Sequence, residues 1–235
     1  MTSVTLKPRS GWARVRVGLS SVDRAVRTVD TGQLQAIAYS SRVDRSFSFL
    51  DLCGFTDFAD SEGDEAAVVE ARSLRQVVRE VAPLFGVRVE KWLGDGVMMV
   101  GVEIERLVGA VVAIEQRAAA ACRLPLRAGI SSGFVLLVEG DDYIGRAVNT
   151  AARLCDAAGQ GQVLAAVEGL QVPDWIETCG PMELRLRGLA EPVTVLELMA
   201  APNLPSVLDQ PDRPGWSIGT LLEGITRPVR SKLGA

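Results

Sequence analysis

Two aspartates each stand where an apolar, strand-like segment gives way to a glycine-containing turn, and this arrangement strongly constrains the fold. Asp51 lies at the end of the apolar segment SFSFLDL. Asp95 is the centre of a Gly-Asp-Gly tripeptide between the strand-like segments 87–92 and 97–102, a pattern typical of a β-hairpin with a tight turn. Because a hairpin tends to pair with the strand that precedes it, we expect both carboxylates at one edge of a sheet.

The remaining pattern alternates between strand and helix. In chain order we expect a strand in SFSFLDL, a helix capped by Thr56 or Asp57, a helix over about 65–84, the hairpin, a helix over about 104–121, strands in LRAGISS and FVLLVEG, a helix through Val148 and Leu154, and strands in QVLAAV, MELRLRG and VTVLELM. This order predicts an α+β fold. It has a ferredoxin-like βαββαβ core with additional C-terminal strands, and its helices pack against one face of a mostly antiparallel sheet.

Composition divides the 235 residues into three parts. Residues 1–44 are rich in arginine and small residues and are predicted to be an N-terminal helical extension, with a helix near 19–38. Residues 45–200 are long enough to bury one substantial core and are predicted to be the main domain. Residues 201–235 are rich in proline and are predicted to be a tail on the surface.

Composition also excludes several kinds of site and partner. The chain has no histidine, which excludes Ser/His and Cys/His nucleophiles and zinc sites built on histidine, so carboxylates, lysine and arginine must carry any chemistry. The four cysteines are widely spaced and form no CxxC motif, which favours a reducing compartment. A net charge of −4 argues against a nucleic-acid partner.

We expect a cytoplasmic protein without a membrane partner. The N-terminal sequence has no apolar signal core, and charged and polar residues interrupt the most apolar helical stretch, 107–121. The amphipathic segment WSIGTLLEGI is too short and too weakly charged to favour a membrane anchor.

The joint placement of the two aspartates indicates phosphorus chemistry, although each alone has an ordinary explanation as a turn or cap residue. Two carboxylates at adjacent strand ends can hold two hard divalent cations, and two-metal sites suit the attack of an oxygen nucleophile on phosphorus. The loop after Asp51 consists of Cys53, Gly54, Phe55 and Thr56. Because this loop runs into a helix N-terminus, we expect its N–H groups to donate to phosphate oxygens.

Four further residues have both a structural and a functional interpretation. Lys91 is one of three lysines in a chain with 22 arginines, and it is either a solvated strand residue or a selected ammonium group. Asp142 lies in a predicted turn. Asn149 and Arg153 are four residues apart on one helix face, which is also the spacing of a surface pair.

Taken together, four segments resemble successive blocks of the class III nucleotidyl cyclases. They are SFLDLCGFTDFA, VEKWLGDGVMMV, LRAGISSGFVLLVEGDDYIGRAVNTAARL and ELRLRGLAEPVTVLEL, and they cover about residues 45–199 in the family's order. The stretch between Gly133 and Asp142 is shorter than in many relatives, which resembles a compact bacterial subgroup of adenylate cyclases. Ser131 and Ser132 stand where a His-Thr pair is common in the family.

The resemblance implies a role for each matching residue. Asp51 and Asp95 would bind two divalent cations (Mg²⁺ or Mn²⁺), Lys91 and Asp142 would select adenine, Asn149 and Arg153 would orient the ribose and stabilise the transition state, and Arg187 would contact the triphosphate, on a looser match. The implied reaction converts ATP into 3′,5′-cyclic AMP and pyrophosphate. The ribose 3′ oxygen attacks the α-phosphorus in line, with one cation lowering the pKa of the 3′ hydroxyl and the other balancing charge on the triphosphate.

In the family, the metal-binding aspartates and the other site residues belong to opposite halves of a composite site. This chain has one copy of each block, so the resemblance implies a head-to-tail homodimer with two shared sites and an inactive monomer. Two alternatives remain. One is a guanylyl or pyrimidine cyclase, for which replacement of Lys91 and Asp142 would be the expected sign. The other is a catalytically silent cyclase-fold module that dimerises or binds nucleotide to relay a signal.

Overall fold

The structure is a computed structural model, and it describes residues 2–6, 13–17, 40–140 and 142–201. The first two segments form strands β1 (Thr2–Leu6) and β2 (Ala13–Val17), which pair antiparallel in a sheet of their own. The helix predicted near 19–38 and almost all of the predicted tail lie outside the described residues.

The described residues form a main sheet of eight strands. These are β3 (Ser40–Leu52), β4 (Arg88–Leu93), β5 (Gly96–Gly101), β6 (Leu126–Val138), β7 (Asp142–Ile144), β8 (Val163–Ala166), β9 (Ile176–Leu184) and β10 (Val193–Ala200). Their order is β4-β5-β3-β6-β8-β10-β9, with β7 paired to β6. Only the β6–β8 pairing among these strands is parallel, which confirms the mostly antiparallel sheet.

Four α-helices lie within the described part of the chain. They are α1 (Phe55–Glu62), α2 (Asp64–Val81), α3 (Ile104–Ala121) and α4 (Arg146–Ala157), and a 3₁₀ turn, Ala82–Phe85, follows α2. The predicted helix cap is wrong: α1 begins at Phe55, before Thr56 and Asp57, because Gly54 takes a left-handed conformation with φ 74° and turns the chain directly into the helix. The α+β class and the βαββαβ order are confirmed.

The helices cover both faces of the sheet, whereas one face was predicted. Leu50 and Leu52 point to a core shared with α2 and α3. Phe47 points to the opposite face, where it lies in a second core with Ala147 and Ala151 of α4. Since successive strand residues alternate between faces, the odd-numbered positions of β3, including Asp51, share the α4 side.

Two strand boundaries differ from the prediction. LRAGISS and FVLLVEG form one strand, β6, because Gly133 stays paired with Arg45 of β3 instead of turning the chain. The strand expected in MELRLRG begins earlier and ends at Leu184, because Leu184 is opposite Val193, the first residue of β10.

Within the segments that the structure describes, no helix combines the length and apolar character needed to cross a membrane.

The approach of α4 to β6 depends on Gly129. A Cβ atom at this position would lie 2.2 Å from both the Ala151 carbonyl oxygen and the Cys155 amide nitrogen. We expect Gly129→Ala to lower the free energy of unfolding by about 3 kcal/mol, because two backbone atoms cannot rotate away as a side chain can. Gly159→Ala is the matched control, since its new Cβ would meet only the Gln162 side chain at 3.7 Å. Equal denaturation midpoints for the two variants would contradict this packing.

Candidate active site

The strand register places Asp51 and Asp95 side by side, as the sequence predicts. Asp51 is the last β3 residue paired with β5, opposite Gly96, and Asp95 precedes Gly96 in the turn between β4 and β5. Both side chains are half-buried. Burial is the main cause that raises the pKa of the Asp95 carboxyl, and the neighbouring Asp51 carboxylate raises it further. The two carboxylates are therefore close enough to interact electrostatically.

Arg127 of β6 belongs to this site, and the sequence reasoning missed it. Its Nη2 and Nε atoms donate to Asp51 Oδ2 at 2.6 and 3.1 Å, and Arg127 is the β6 residue directly opposite Asp51. The hydrogen bond with Asp51 raises the pKa of the Arg127 guanidinium. The available signal was an arginine at the start of the strand LRAGISS, but its partner could be identified only from the β3–β6 register.

Two carboxylates are too few to form a metal site from protein ligands alone. They suit hard divalent cations that also bind water and substrate phosphates. In the described ranges, no group of three or more Asp, Glu, Cys or His side chains is placed to hold a metal ion. Magnesium sites commonly use one or two carboxylates and complete the coordination with water and substrate phosphates. Arg127 offsets part of the repulsion between Asp51 and Asp95, and bound cations would relieve the rest, so the donor chemistry suits such a site.

The raised pKa of Asp95 predicts a gain in stability when its charge is removed. A carboxyl with a higher pKa in the folded than in the unfolded state loses stability as the pH rises through both values. In metal-free buffer at pH 7, we therefore expect Asp95→Asn to unfold at a higher denaturant concentration than the parent protein. The difference should shrink as the pH falls toward the ordinary value of 3.8. The exposed Asp174→Asn serves as control, and a less stable Asp95→Asn at pH 7 would refute the prediction.

Lys91 and Asp142 also come together in one chain. Lys91 Nζ lies 2.7 Å from Asp142 Oδ1, and both side chains are about half exposed, with exposed fractions of 46% and 57%. A second link joins the same two strands, because Arg88 Nη2 donates to the Tyr143 hydroxyl at 3.2 Å. The Tyr143 ring packs edge-on against Phe47 at a centroid distance of 5.2 Å. These contacts fix β7 beside β4, so the ammonium and the carboxylate are presented together.

The loop after Asp51 differs in one respect from the expectation. The Cys53 N–H donates to the Pro125 carbonyl at 2.9 Å, so it is already used within the protein. Gly54, Phe55 and Thr56 form the N-terminal start of α1, where helix N–H groups lack acceptors within the helix. Three of the four predicted residues therefore lie at a helix N-terminus.

Asn149 and Arg153 lie on the exposed side of α4. Arg153 Nη1 is 2.8 Å from Asp156 Oδ2, so its ion-pair partner is Asp156 and not Asp51 or Asp95. Among the described residues, neither Asn149 nor Arg153 forms a hydrogen bond or ion pair with Asp51 or Asp95. Arg187 is exposed in the turn after β9. A single chain therefore does not bring these three side chains into contact with the carboxylate pair.

An exposed apolar surface lies on the β6–β7 hairpin. Phe134, Leu136 and Ile144 have exposed fractions of 60%, 43% and 55%, and Leu136 is directly opposite Ile144. The Arg42 guanidinium lies 5.1 Å from the centre of the Phe134 ring. We call Phe134, Leu136 and Ile144 the hairpin patch; large exposed apolar groups that adjoin one another commonly mark a protein contact.

Comparison with known proteins adds sequence relatives and similar structures. No family model matches the chain. It is 37% identical over 167 residues to the uncharacterized proteins Rv2212 of Mycobacterium tuberculosis H37Rv and Mb2235 of Mycobacterium bovis. The match covers 70% of this chain but 43% of each relative, so the chain spans less than half the length of these relatives.

Solved structures of nucleotide cyclases superpose on the described fold. The adenylyl cyclase CyaB from P. aeruginosa has a TM-score of 0.59 at 21% identity, covering 70% of this chain and 97% of that one. The guanylyl cyclase Cya2 has a TM-score of 0.60 at 19% identity, covering 71% and 98%. The catalytic core of a rhodopsin-guanylyl cyclase with converted specificity, in complex with ATPαS, has a TM-score of 0.58 at 19% identity, covering 69% and 98%. The chain therefore has the catalytic-domain fold of the class III adenylyl and guanylyl cyclases.

Proposed function

We propose that this chain is a class III adenylate cyclase that converts ATP into 3′,5′-cyclic AMP and pyrophosphate. The observation that carries the proposal is the pair Asp51 and Asp95, which lie side by side where β3 ends and β5 begins in a cyclase fold. The same proposal includes a cytoplasmic location and three parts of the chain, with the limits 1–44, 45–200 and 201–235.

Asp51 and Asp95 would hold two divalent cations, Mg²⁺ or Mn²⁺. When bound, these cations supply Lewis-acid chemistry that lowers the pKa of the ribose 3′ hydroxyl and balances charge on the triphosphate. Arg127 donates to Asp51 through Nε and Nη2 and to the Asp156 carbonyl through Nη1 at 3.4 Å, so it would act on the phosphates of a bound nucleotide through its positive charge. The N–H groups at the start of α1 would provide donors for the same phosphates.

The Lys91–Asp142 pair supports adenine as the base. An ammonium group can donate to N1 of adenine while a carboxylate accepts from its 6-amino group, and the two lie 2.7 Å apart on neighbouring surfaces of β4 and β7. Guanine has a donor at N1 and an acceptor at position 6, the reverse polarity. Each buried polar group left unpaired by the wrong base costs about 1–3 kcal/mol, which is enough to discriminate between the two nucleotides.

A homodimer would complete the site. In one chain, Asn149 and Arg153 form no hydrogen bond or ion pair with the carboxylates, among the residues described. A second copy arranged head-to-tail would bring its own Asn149 and Arg153, with its Lys91–Asp142 pair, to the carboxylates of the first. The hairpin patch offers an apolar surface for such a contact. In this arrangement Asn149 orients the ribose, and Arg153 neutralises the negative charge that develops at the α-phosphoryl group.

Product analysis with two nucleotides tests the proposal. Purified protein is incubated with Mn²⁺ and either ATP or GTP, and cyclic nucleotide and pyrophosphate are quantified. We expect equal amounts of cyclic AMP and pyrophosphate from ATP, and much slower turnover of GTP. Preferential formation of cyclic GMP would favour the guanylyl alternative, and no cyclic product from any nucleotide would favour a silent signalling module.

A further inference from the structure

The outer face of α2 carries charged residues that form no ion pair with any other residue in the described part of the chain. Glu80, at the C-terminal end of this face, is the exception, because it pairs with Arg117. From the N-terminal end, the rest of the face presents Asp64, Glu65, Val68, Val69, Arg72, Arg75 and Arg79. Its opposite side is buried in the core. Arg75 and Arg79 lie over the Trp92 ring at 5.3 and 5.6 Å. Arg72 is the α2 arginine nearest the valines in the sequence, and it contacts no aromatic ring of the described residues.

The order of these side chains is complementary to itself. Glu65, Val68, Val69 and Arg72 follow the spacing i, i+3, i+4 and i+7, which places them on one face of a helix. If a second α2 is turned end over end about the midpoint between Val68 and Val69, Glu65 lies opposite Arg72 and the valines lie opposite each other. We name Glu65, Val68, Val69 and Arg72 the α2 strip.

We propose that the α2 strip binds the α2 strip of a second copy of this chain, with the two helices antiparallel about a two-fold axis. Each contact would contain two Glu65–Arg72 pairs around four valines. Val68 and Val69 have exposed fractions of 48% and 61%, so both apolar side chains are accessible to a second copy of the chain. Antiparallel packing also places opposite ends of the two helix dipoles together.

The contact is small and is therefore weak by itself. Stable interfaces bury about 800 Å² on each partner, more than one helix face with two valines supplies. It shares no residue with the hairpin patch, so it can join two dimers as well as two monomers. The inference does not depend on the proposed enzymatic activity, because its readout is molecular mass.

Charge reversal across the strip tests this contact. Sedimentation velocity at low salt should show an association step that weakens as salt is added, because exposed charge pairs are screened. Glu65→Arg alone, or Arg72→Glu alone, turns both symmetric pairs repulsive and should weaken the association constant by about tenfold to a hundredfold. An equimolar mixture of the two variants should associate again, since each mixed pair then has opposite charges.

Two exposed residues away from the strip give controls with the same change in net charge. Glu177→Arg and Arg185→Glu should leave the association step within about threefold of the parent protein, because surface charges far from the contact contribute little. Two results would overturn the proposal. One is a reversal variant that associates as strongly as the parent protein, which would assign the association to another surface of the chain. The other is a mixture of the two reversal variants that fails to associate while the parent protein does.

Discussion

Asp51→Asn is expected to reduce cyclic AMP formation by about a thousandfold, because it removes a negative charge from the proposed two-cation site while keeping the shape of the side chain. The amide still reaches Arg127, although the charge-assisted hydrogen bond at 2.6 Å becomes a neutral one. Turnover with Mn²⁺ and ATP measures the loss, and circular dichroism verifies that the variant folds.

A second measurement separates loss of cation binding from loss of structure. Mn²⁺ should raise the thermal unfolding midpoint of the parent protein, because a ligand that binds only the folded state stabilises it. The same addition should have a much smaller effect on Asp51→Asn. Asp57→Asn, on the exposed side of α1, is the matched control and should keep both activity and the Mn²⁺ shift. Full activity in a folded Asp51→Asn protein would remove this residue from the mechanism.

Mixing two inactive variants is expected to restore activity. Asp95→Ala lacks a carboxylate of the cation pair, and Arg153→Ala lacks the proposed transition-state cation, so each homodimer is defective at both sites. In a heterodimer, one shared site lacks both side chains, because it combines the two substituted positions. The other shared site contains the native Asp95 and the native Arg153. Random exchange gives half heterodimers, so the mixture should reach about a quarter of the parent activity.

The controls for this experiment follow from the surface position of Arg153. Its ion pair with Asp156 is exposed, so Arg153→Ala should change stability by less than about 1 kcal/mol. Arg146→Ala, at the exposed start of the same helix, should stay active without a partner variant. If subunit exchange is demonstrated and activity still does not return, then Asp95 and Arg153 do not act at one site from two chains.

The parts of the fold that depend on local pattern could be predicted from the sequence. The Gly-Asp-Gly turn between two strand-like segments indicated the β4–β5 hairpin, and the pairing of that hairpin with β3 places Asp51 beside Asp95. The 104–121 helix has the predicted limits. These features require no knowledge of distant contacts.

Features that depend on register or close approach could not be predicted in this way. Arg127 meets Asp51 only because β3 and β6 pair in one particular alignment. The position of α4 on the second face depends on the missing side chain at Gly129, which a sequence pattern does not distinguish from a turn glycine. The Cys53 N–H is satisfied by Pro125, a residue far away in the chain. In each case the deciding partner comes from another element.

The central claim is that one chain holds only half of an adenylate cyclase site, and the dependence of specific activity on protein concentration tests it most directly. Cyclic AMP formation from ATP and Mn²⁺ is measured during serial dilution, while sedimentation of the same samples reports the oligomeric state. The account predicts that activity per mole of chain falls toward zero as the dimer dissociates. A constant, non-zero activity per mole in samples that contain only monomer would contradict it.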